Sequence, residues 1–158
     1  FTRVVLARGA ELVHAVDVGH DQISPVLRDD PRVIVHEGLN LRDLLPADLA
    51  VDGVVEPVDL VVGDVSFISL TMILEPISSV VSPDGLMLLL VKPQFEVGRK
   101  ALRAHGVVTD PTLRTQAVAE VMSTAISLGW RMCDECDSPL PGQDGNIEHF
   151  ILLERMGR

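Results

Sequence analysis

Three short apolar runs, each closing on a charged residue, constrain this chain more than any other feature. Leu12–Val18 (LVHAVDV) carries Asp17 near its end, Val58–Asp64 (VDLVVGD) ends in Asp64, and Leu86–Lys92 (LMLLLVK) ends in Lys92. Runs this short and this apolar suit strands covered on both faces in a parallel sheet. Helical segments are expected around them. Phe1–Arg8 reads as a helix end stopped by Gly9, and Asp21 is expected to cap a helix reaching Arg28. Arg32–His36 reads as a strand, Leu39–Leu49 as short helical pieces around Pro46, and Ser69–Val80 as a helix. Pro83-Asp84-Gly85 is a turn into the third apolar run. Asp110-Pro111 is a strong helix start, with Asp as N-cap and Pro at the first helical position, and Gly129 stops that helix after Leu128. Alternating strands and helices predict an α/β fold with a mostly parallel sheet. The last two strands, Arg131–Asp137 and Ile147–Glu154, have no helix between them, only the Pro/Gly-rich loop Ser138–Asn146. They are expected to pair as an antiparallel hairpin at one edge.

At 158 residues, the chain fits one domain spanning 1–158. With 47% hydrophobic and 23% charged residues it can bury a core, and with 3% aromatics and no Tyr that core must be aliphatic. No apolar run approaches the ~20 residues of a membrane span, and no signal peptide is seen, so a cytoplasmic protein is expected. The net charge of −10 argues against nucleic-acid binding over the whole surface, though one basic patch or a basic partner domain is compatible with it. The two cysteines, Cys133 and Cys136, form a single CxxC without a second pair, and on a strand they would face opposite sides, so no metal site is expected. His14, His20, His36, His105 and His149 lack ligand spacing. Ser66 and Ser69 lack the Gly-x-Ser-x-Gly context of a hydrolase nucleophile.

Ligands of open parallel sheets bind beyond the carboxyl ends of the strands. Asp17, Asp64 and Lys92 fall there, with Glu148 on the last strand. Asp17 is placed to accept hydrogen bonds from ribose hydroxyls, or else to serve as a loop acid or helix cap. Lys92 follows six apolar residues and precedes Pro93, so its stem is expected to be buried. A desolvated lysine can act as a base, whereas a snorkelling strand-end lysine would have no such role. No glycine-rich phosphate loop is present. Such a turn follows the first strand of a Rossmann unit and would lie upstream of Phe1.

The segments VDLVVGDVSFISL (Val58–Leu70), LLLVKPQFEVGR (Leu88–Arg99), GVVTDP (Gly106–Pro111) and SPLPGQDGNIEHFILL (Ser138–Leu153) closely resemble the TlyA family. These are hemolysin-like proteins that act as FtsJ-type rRNA 2′-O-methyltransferases. FTRVVLARGA, AVDVGHDQ and DPRVIV extend the likeness over nearly the whole chain. The resemblance implies a class I S-adenosylmethionine-dependent methyltransferase fold, a Rossmann-like three-layer sandwich. Family members use a Lys-Asp-Lys-Glu tetrad around the target ribose. By matching motifs, Asp64 is its aspartate, Lys92 its second lysine and Glu148 its glutamate. Its first lysine would lie upstream of Phe1. The same matching assigns Asp17 to the ribose of S-adenosyl-L-methionine, Asn40 to a position near its adenine, and Asp64 to the cofactor as well. HEGLNLRDL around Asn40 departs from the usual pattern. The implied partner is ribosomal RNA in the ribosomal subunits. Family members also carry an N-terminal S4-like RNA-binding domain.

The resemblance further implies that the fold's central first strand is missing, so this chain alone is expected to bind S-adenosylmethionine weakly or not at all. Three other readings stand beside the enzyme: a catalytically inactive RNA- or ribosome-interaction domain, a membrane-lysing hemolysin, and a nicotinamide-dependent oxidoreductase. The densest basic stretch, Arg99 to His105 (RKALRAH), supplies Arg99, Lys100 and Arg103 as candidate contacts to rRNA phosphates, or else is a solvated loop. Charge reversal at these three positions is expected to weaken RNA binding and flatten its salt dependence in filter-binding titrations. An unchanged affinity and salt slope would remove the assignment.

Overall fold

A computed structural model describes residues 1–98, 106–142 and 144–157. The chain divides into two compact units, Phe1–Glu56 and Pro57–Arg158.

In the first unit, helix α1 (Thr2–Ala7) ends before Gly9, whose φ of +98° reverses the chain as the sequence predicts. Strand β1 (Val13–Asp17) follows, and helix α2 spans Pro25–Arg28. Strand β2 (Val33–Glu37) lies parallel to β1, in register from Val13↔Val33 to Asp17↔Glu37. The expectation that Asp21 caps α2 is corrected here. Asp21 sits at φ +57°, and the helix begins four residues later, with Ser24 as N-cap. The reason lies at Pro25. Proline sterically pushes its predecessor out of the helical region, and Ser24 accordingly has ψ 146°. Short 3₁₀ turns, Leu41–Asp43 and Pro46–Leu49, occupy the segment around Pro46, and Leu44 and Leu49 are buried.

In the second unit, strand β3 (Val58–Gly63) leads to a 3₁₀ turn, Leu70–Met72, and helix α3 (Leu74–Val80). The single helix expected over Ser69–Val80 is therefore divided. Pro76 lacks the N–H that would bond back to Met72, and its ring crowds that carbonyl, so only the residues after Met72 form an α-helix. Strand β4 (Val81–Val91) includes the Pro83-Asp84-Gly85 turn as an irregularity. Val58 pairs with Val81 and Leu60 with Leu86, so two steps along β3 match five along β4. Helix α4 (Pro93–Glu96) and helix α5 (Pro111–Ser127) come next, then strands β5 (Trp130–Asp137) and β6 (His149–Arg155). The sheet order is β3-β4-β6-β5. β3 is parallel to β4, while β6 runs antiparallel to both β4 and β5. The expected edge hairpin is present, with β5 outermost. Glu148 lies immediately before the last strand rather than on it. Among the described residues, β1 pairs with β2, and β3 pairs with β4.

Asp110 caps α5 through its side chain, which accepts from Thr112 N at 2.8 Å. Ala117, Val121 and Ala125 recur every four residues, so they share one face, and all three are fully buried. Leu74, Met87, Leu89, Val91, Ile151 and Leu153 complete an aliphatic core with almost no exposure. The end of the sheet away from the candidate site is closed by one buried aromatic. Trp130 donates from Nε1 to Ser78 Oγ at 2.7 Å, and the Arg155 guanidinium stacks 4.5 Å from its ring while donating to Ser78 O at 2.8 Å.

Candidate active site

The parallel pairing of β3 and β4 brings two of the predicted residues together. Val62↔Leu88 and Gly63↔Leu89 are the last rungs, so both strands leave the sheet at the same edge, one at Asp64 and the other within three residues at Lys92. Gly63 packs closely there: a Cβ would come 2.8 Å from Leu89 Cδ2, so that side chain would have to shift. The Lys92 side chain is 13% exposed, as its apolar preface predicts, and Asp64 is 48% exposed. Lys92 Nζ lies 2.8 Å from Asp64 Oδ1 and donates to Ser66 Oγ at 2.9 Å. Two of the ammonium's three N–H groups are thus committed, which fixes where the third can reach.

The antiparallel β4–β6 pairing brings in the third residue. Its last rung is Val91↔His149, and Lys92 and Glu148 are the residues immediately beyond that rung. Glu148 is 7% exposed. Its Oε1 accepts from Gln94 Nε2 at 3.3 Å, and its backbone O accepts from Ser138 N at 2.8 Å. The 138–146 loop is anchored by Asn146, 2% exposed, whose Oδ1 accepts from Val108 N at 2.9 Å and whose Nδ2 donates to Gly106 O at 3.3 Å.

Several contributors escape sequence reasoning. Glu96, on α4, accepts from Ser69 Oγ and from Leu70 N, the latter at 2.8 Å, so it ties the segment after Lys92 to the segment after Asp64. Burial raises the Glu96 carboxyl above its ordinary range of 4.5, against the lowering effect of these two hydrogen bonds. The one clue to this contact is that both partners belong to the motifs DVSFISL and VKPQFE. Phe67 is 91% exposed, sits at φ +66°, and leans on Phe95 with ring centroids 5.3 Å apart. A bulky residue at positive φ is strained.

In the first unit, the carboxyl ends of β1 and β2 hold Asp17 and Asn40. Asp17 Oδ1 accepts from Gly19 N at 2.7 Å, and Asp17 O accepts from Leu39 N at 3.2 Å. Asn40 Oδ1 caps the 41–43 turn by accepting from Arg42 N at 3.1 Å. Arg99, Lys100 and Arg103 lie outside the described residues. The described residues contain no group of three or more His, Cys, Asp or Glu arranged to hold a metal ion.

The FtsJ-like methyltransferase family pattern matches residues 1–155. This chain belongs to that family. It is 48% identical over 153 residues to the 16S/23S rRNA (cytidine-2'-O)-methyltransferase TlyA of Mycobacterium tuberculosis, covering 97% of this chain and 55% of the relative. It is 36% identical over 155 residues to Hemolysin A of Brachyspira hyodysenteriae, covering 96% of this chain and 63% of that protein. The chain thus spans a little over half the length of the curated relatives it matches. A candidate hemolysin from Streptococcus thermophilus has a structure matching at TM-score 0.92 and 36% identity, over 99% of this chain and 55% of that one. A Burkholderia thailandensis 1,6-didemethyltoxoflavin-N1-methyltransferase, solved with S-adenosylhomocysteine bound, matches at TM-score 0.65 and 16% identity over 99% of this chain and 66% of that one. The fold is the Rossmann-like α/β fold of class I methyltransferases, and the resemblance to TlyA read from the motifs is borne out.

Beside the site, this FtsJ-like domain holds a histidine between two carboxylates, a contact that the sequence does not reveal. His149 opens β6 and sits between two β5 carboxylates, with Nδ1 2.8 Å from Asp137 Oδ1 and Nε2 2.9 Å from Glu135 Oε2. Burial pulls the imidazole down, but hydrogen bonds to Asp137 and Glu135 outweigh it and raise it above 6.5. A raised folded value means the stabilisation is complete below 6.5 and lost as pH rises through the folded value. His14 and His36, hydrogen-bonded to each other at 3.0 Å, are both lowered, mainly by burial, and titrate outside that window. Melting temperature is therefore expected to fall as pH rises above 6.5 through the folded value in wild type, and to lose that slope in His149→Gln. Parallel slopes in the two proteins would rule out His149 as its source.

Proposed function

We propose that this chain is the catalytic part of an enzyme that methylates a ribose 2′-hydroxyl of ribosomal RNA, with S-adenosyl-L-methionine as methyl donor. The observation that carries the reading is Lys92 Nζ, held by Asp64 Oδ1 and Ser66 Oγ at the end of β4, with buried Glu148 at the residue just before the neighbouring strand.

A ribose hydroxyl is a poor nucleophile until its proton is removed or its developing negative charge is stabilised. Lys92 Nζ has one donor beyond those given to Asp64 and Ser66, and that group meets the hydroxyl oxygen. Asp64 and Ser66 fix the ammonium so that no reorganisation is needed as charge develops on the oxygen. Glu148 supplies the carboxylate that accepts the hydroxyl proton as the oxygen takes the methyl group. The bound donor supplies an electrophilic methyl on a sulfonium. Asp17 suits the donor's ribose, because Oδ1 is turned inward on Gly19 N while the exposed carboxylate keeps a second oxygen for hydroxyl groups. Asn40 is assigned to the adenine, where its amide nitrogen is the group not spent on capping. Asp64 serves the cofactor as well as Lys92. The remaining contribution is alignment of hydroxyl, methyl and sulfur.

Phe67 fits a nucleic-acid substrate. Its ring is exposed, its backbone is strained, and it stands three residues from Asp64, supported by Phe95. An unpaired base stacked on such a ring presents its own ribose to the site, and sequence-tolerant stacking is how single-stranded RNA is commonly gripped. One curated relative, from Brachyspira hyodysenteriae, carries the hemolysin name. Among the described residues no helix is long and apolar enough to cross a membrane, and no amphipathic basic helix supports lysis.

Tritiated methyl transfer to ribosomal subunits, carried out with the protein at its full natural length, tests the reading. Lys92→Ala is expected to lower incorporation by at least about 100-fold, the scale of losing a positioned acid–base or charge-stabilising group. Equal incorporation by wild type and variant would refute the role given to Lys92.

A further inference from the structure

Gln94 holds an unusual position beside Glu148. Its Nε2 donates to Glu148 Oε1 at 3.3 Å, while its own Oε1 is buried and accepts no hydrogen bond among the described residues. Buried acceptors without a donor are uncommon and costly. The amide cannot simply turn over, because the carboxylate it faces is an acceptor and needs the nitrogen. The orphaned carbonyl is therefore the consequence of directing an N–H at Glu148.

The same oxygen is confined from a second direction. Gly142 packs so closely that a Cβ there would lie 2.7 Å from Glu148 Oε1 and 3.2 Å from Cδ. The turn that carries Gly142 is closed by Gly142 N donating to Asn146 O and Gly145 N donating to Gly142 O, both at 2.8 Å. Gln94 on α4 and the Gly142 turn thus meet at one carboxylate oxygen. Oε2 makes no hydrogen bond among the described residues and is the oxygen left for a ligand.

We infer that Gln94 and Gly142 form a clamp that sets the orientation of the Glu148 carboxylate, so that Oε1 is held by the protein and Oε2 is presented to the ribose. Gln94 is then a positioning residue, acting through Glu148 and touching no reacting atom. This rests on the catalytic reading of Glu148. The clamp explains why a glutamine with an unsatisfied buried oxygen is tolerated beside a buried carboxylate. It also explains why the loop passes Glu148 with a glycine whose φ is ordinary, since space and not backbone freedom demands it.

A role confined to folding and a role in positioning predict different things. Gln94→Met keeps the side-chain length and removes both the N–H and the orphaned acceptor. Under the clamp, kcat falls at least tenfold, KM for S-adenosylmethionine and for RNA stays within twofold, and the melting temperature does not fall. Gly142→Ala, which pushes on the same oxygen, is expected to lower kcat in the same way. Glu148→Gln is assayed in parallel on the full-length protein. If Glu148→Gln is inactive while Gln94→Met keeps its kcat, the clamp is wrong and the catalytic reading stands. If Gln94→Met loses activity together with several degrees of melting temperature, its role is structural and the clamp is wrong. Full activity in Glu148→Gln overturns the catalytic reading of Glu148 and the clamp with it.

Discussion

Strand β4 is paired on both sides, and the site depends on that double pairing. β3 lies parallel to it and β6 antiparallel, so the residues leaving its carboxyl end meet one chain that is also leaving the sheet and one that is entering it. Asp64 comes from the first and Glu148 from the second, with Lys92 between them. Because side chains alternate along a strand, a one-residue slip in either ladder would move Lys92 to the wrong face. The registers are fixed by buried Met87, Leu89 and Val91 facing Ile151 and Leu153, which burial alone holds in phase. The apolar core therefore sets the geometry of the charged site.

Polar groups do the finer positioning. Lys92 spends two donors on Asp64 and Ser66, Glu96 ties the two strand-end loops together, and Asn146 fixes the loop that covers Glu148. Among the described residues, Gln94 Oε1 is the one fully buried side-chain nitrogen or oxygen atom without a hydrogen-bond partner. That exception lies against Glu148 and not in the distant core. At the opposite end of the sheet, Trp130 and Arg155 both donate to Ser78, and the guanidinium stacks on the indole. Departures from full satisfaction are expected where function, and not stability, sets the arrangement.

Much of this was legible in the sequence because it follows from periodicity and chain punctuation. Apolar runs marked β1, β3 and β4, and their charged ends named Asp17, Asp64 and Lys92. Asp110-Pro111 and Gly129 bounded α5 to within a residue. The motifs around Asp64, Lys92 and Glu148 carried the family. What the sequence concealed arises from contacts between distant segments. Ser66, Gln94 and Glu96 are polar loop residues with no period, and their roles appear only when the loops after β3 and β4 are side by side. His149 meets Asp137 and Glu135 only once the hairpin register is known. The late start of α2 and the division of the Ser69–Val80 helix had visible causes, Pro25 and Pro76, but cap and periodicity signals masked them.

The most direct test of a ribose 2′-hydroxyl as the group acted on is chemical deletion of that hydroxyl. The full-length enzyme is supplied with labelled S-adenosylmethionine and with reconstituted ribosomal RNA carrying a single 2′-deoxy nucleotide at the position methylated in the normal RNA. A site built around Lys92, Asp64 and Glu148 for an oxygen nucleophile predicts that methylation at that position is abolished while binding of the RNA persists. Undiminished incorporation at the deoxy nucleotide would place the methyl group on the base and contradict the assignment.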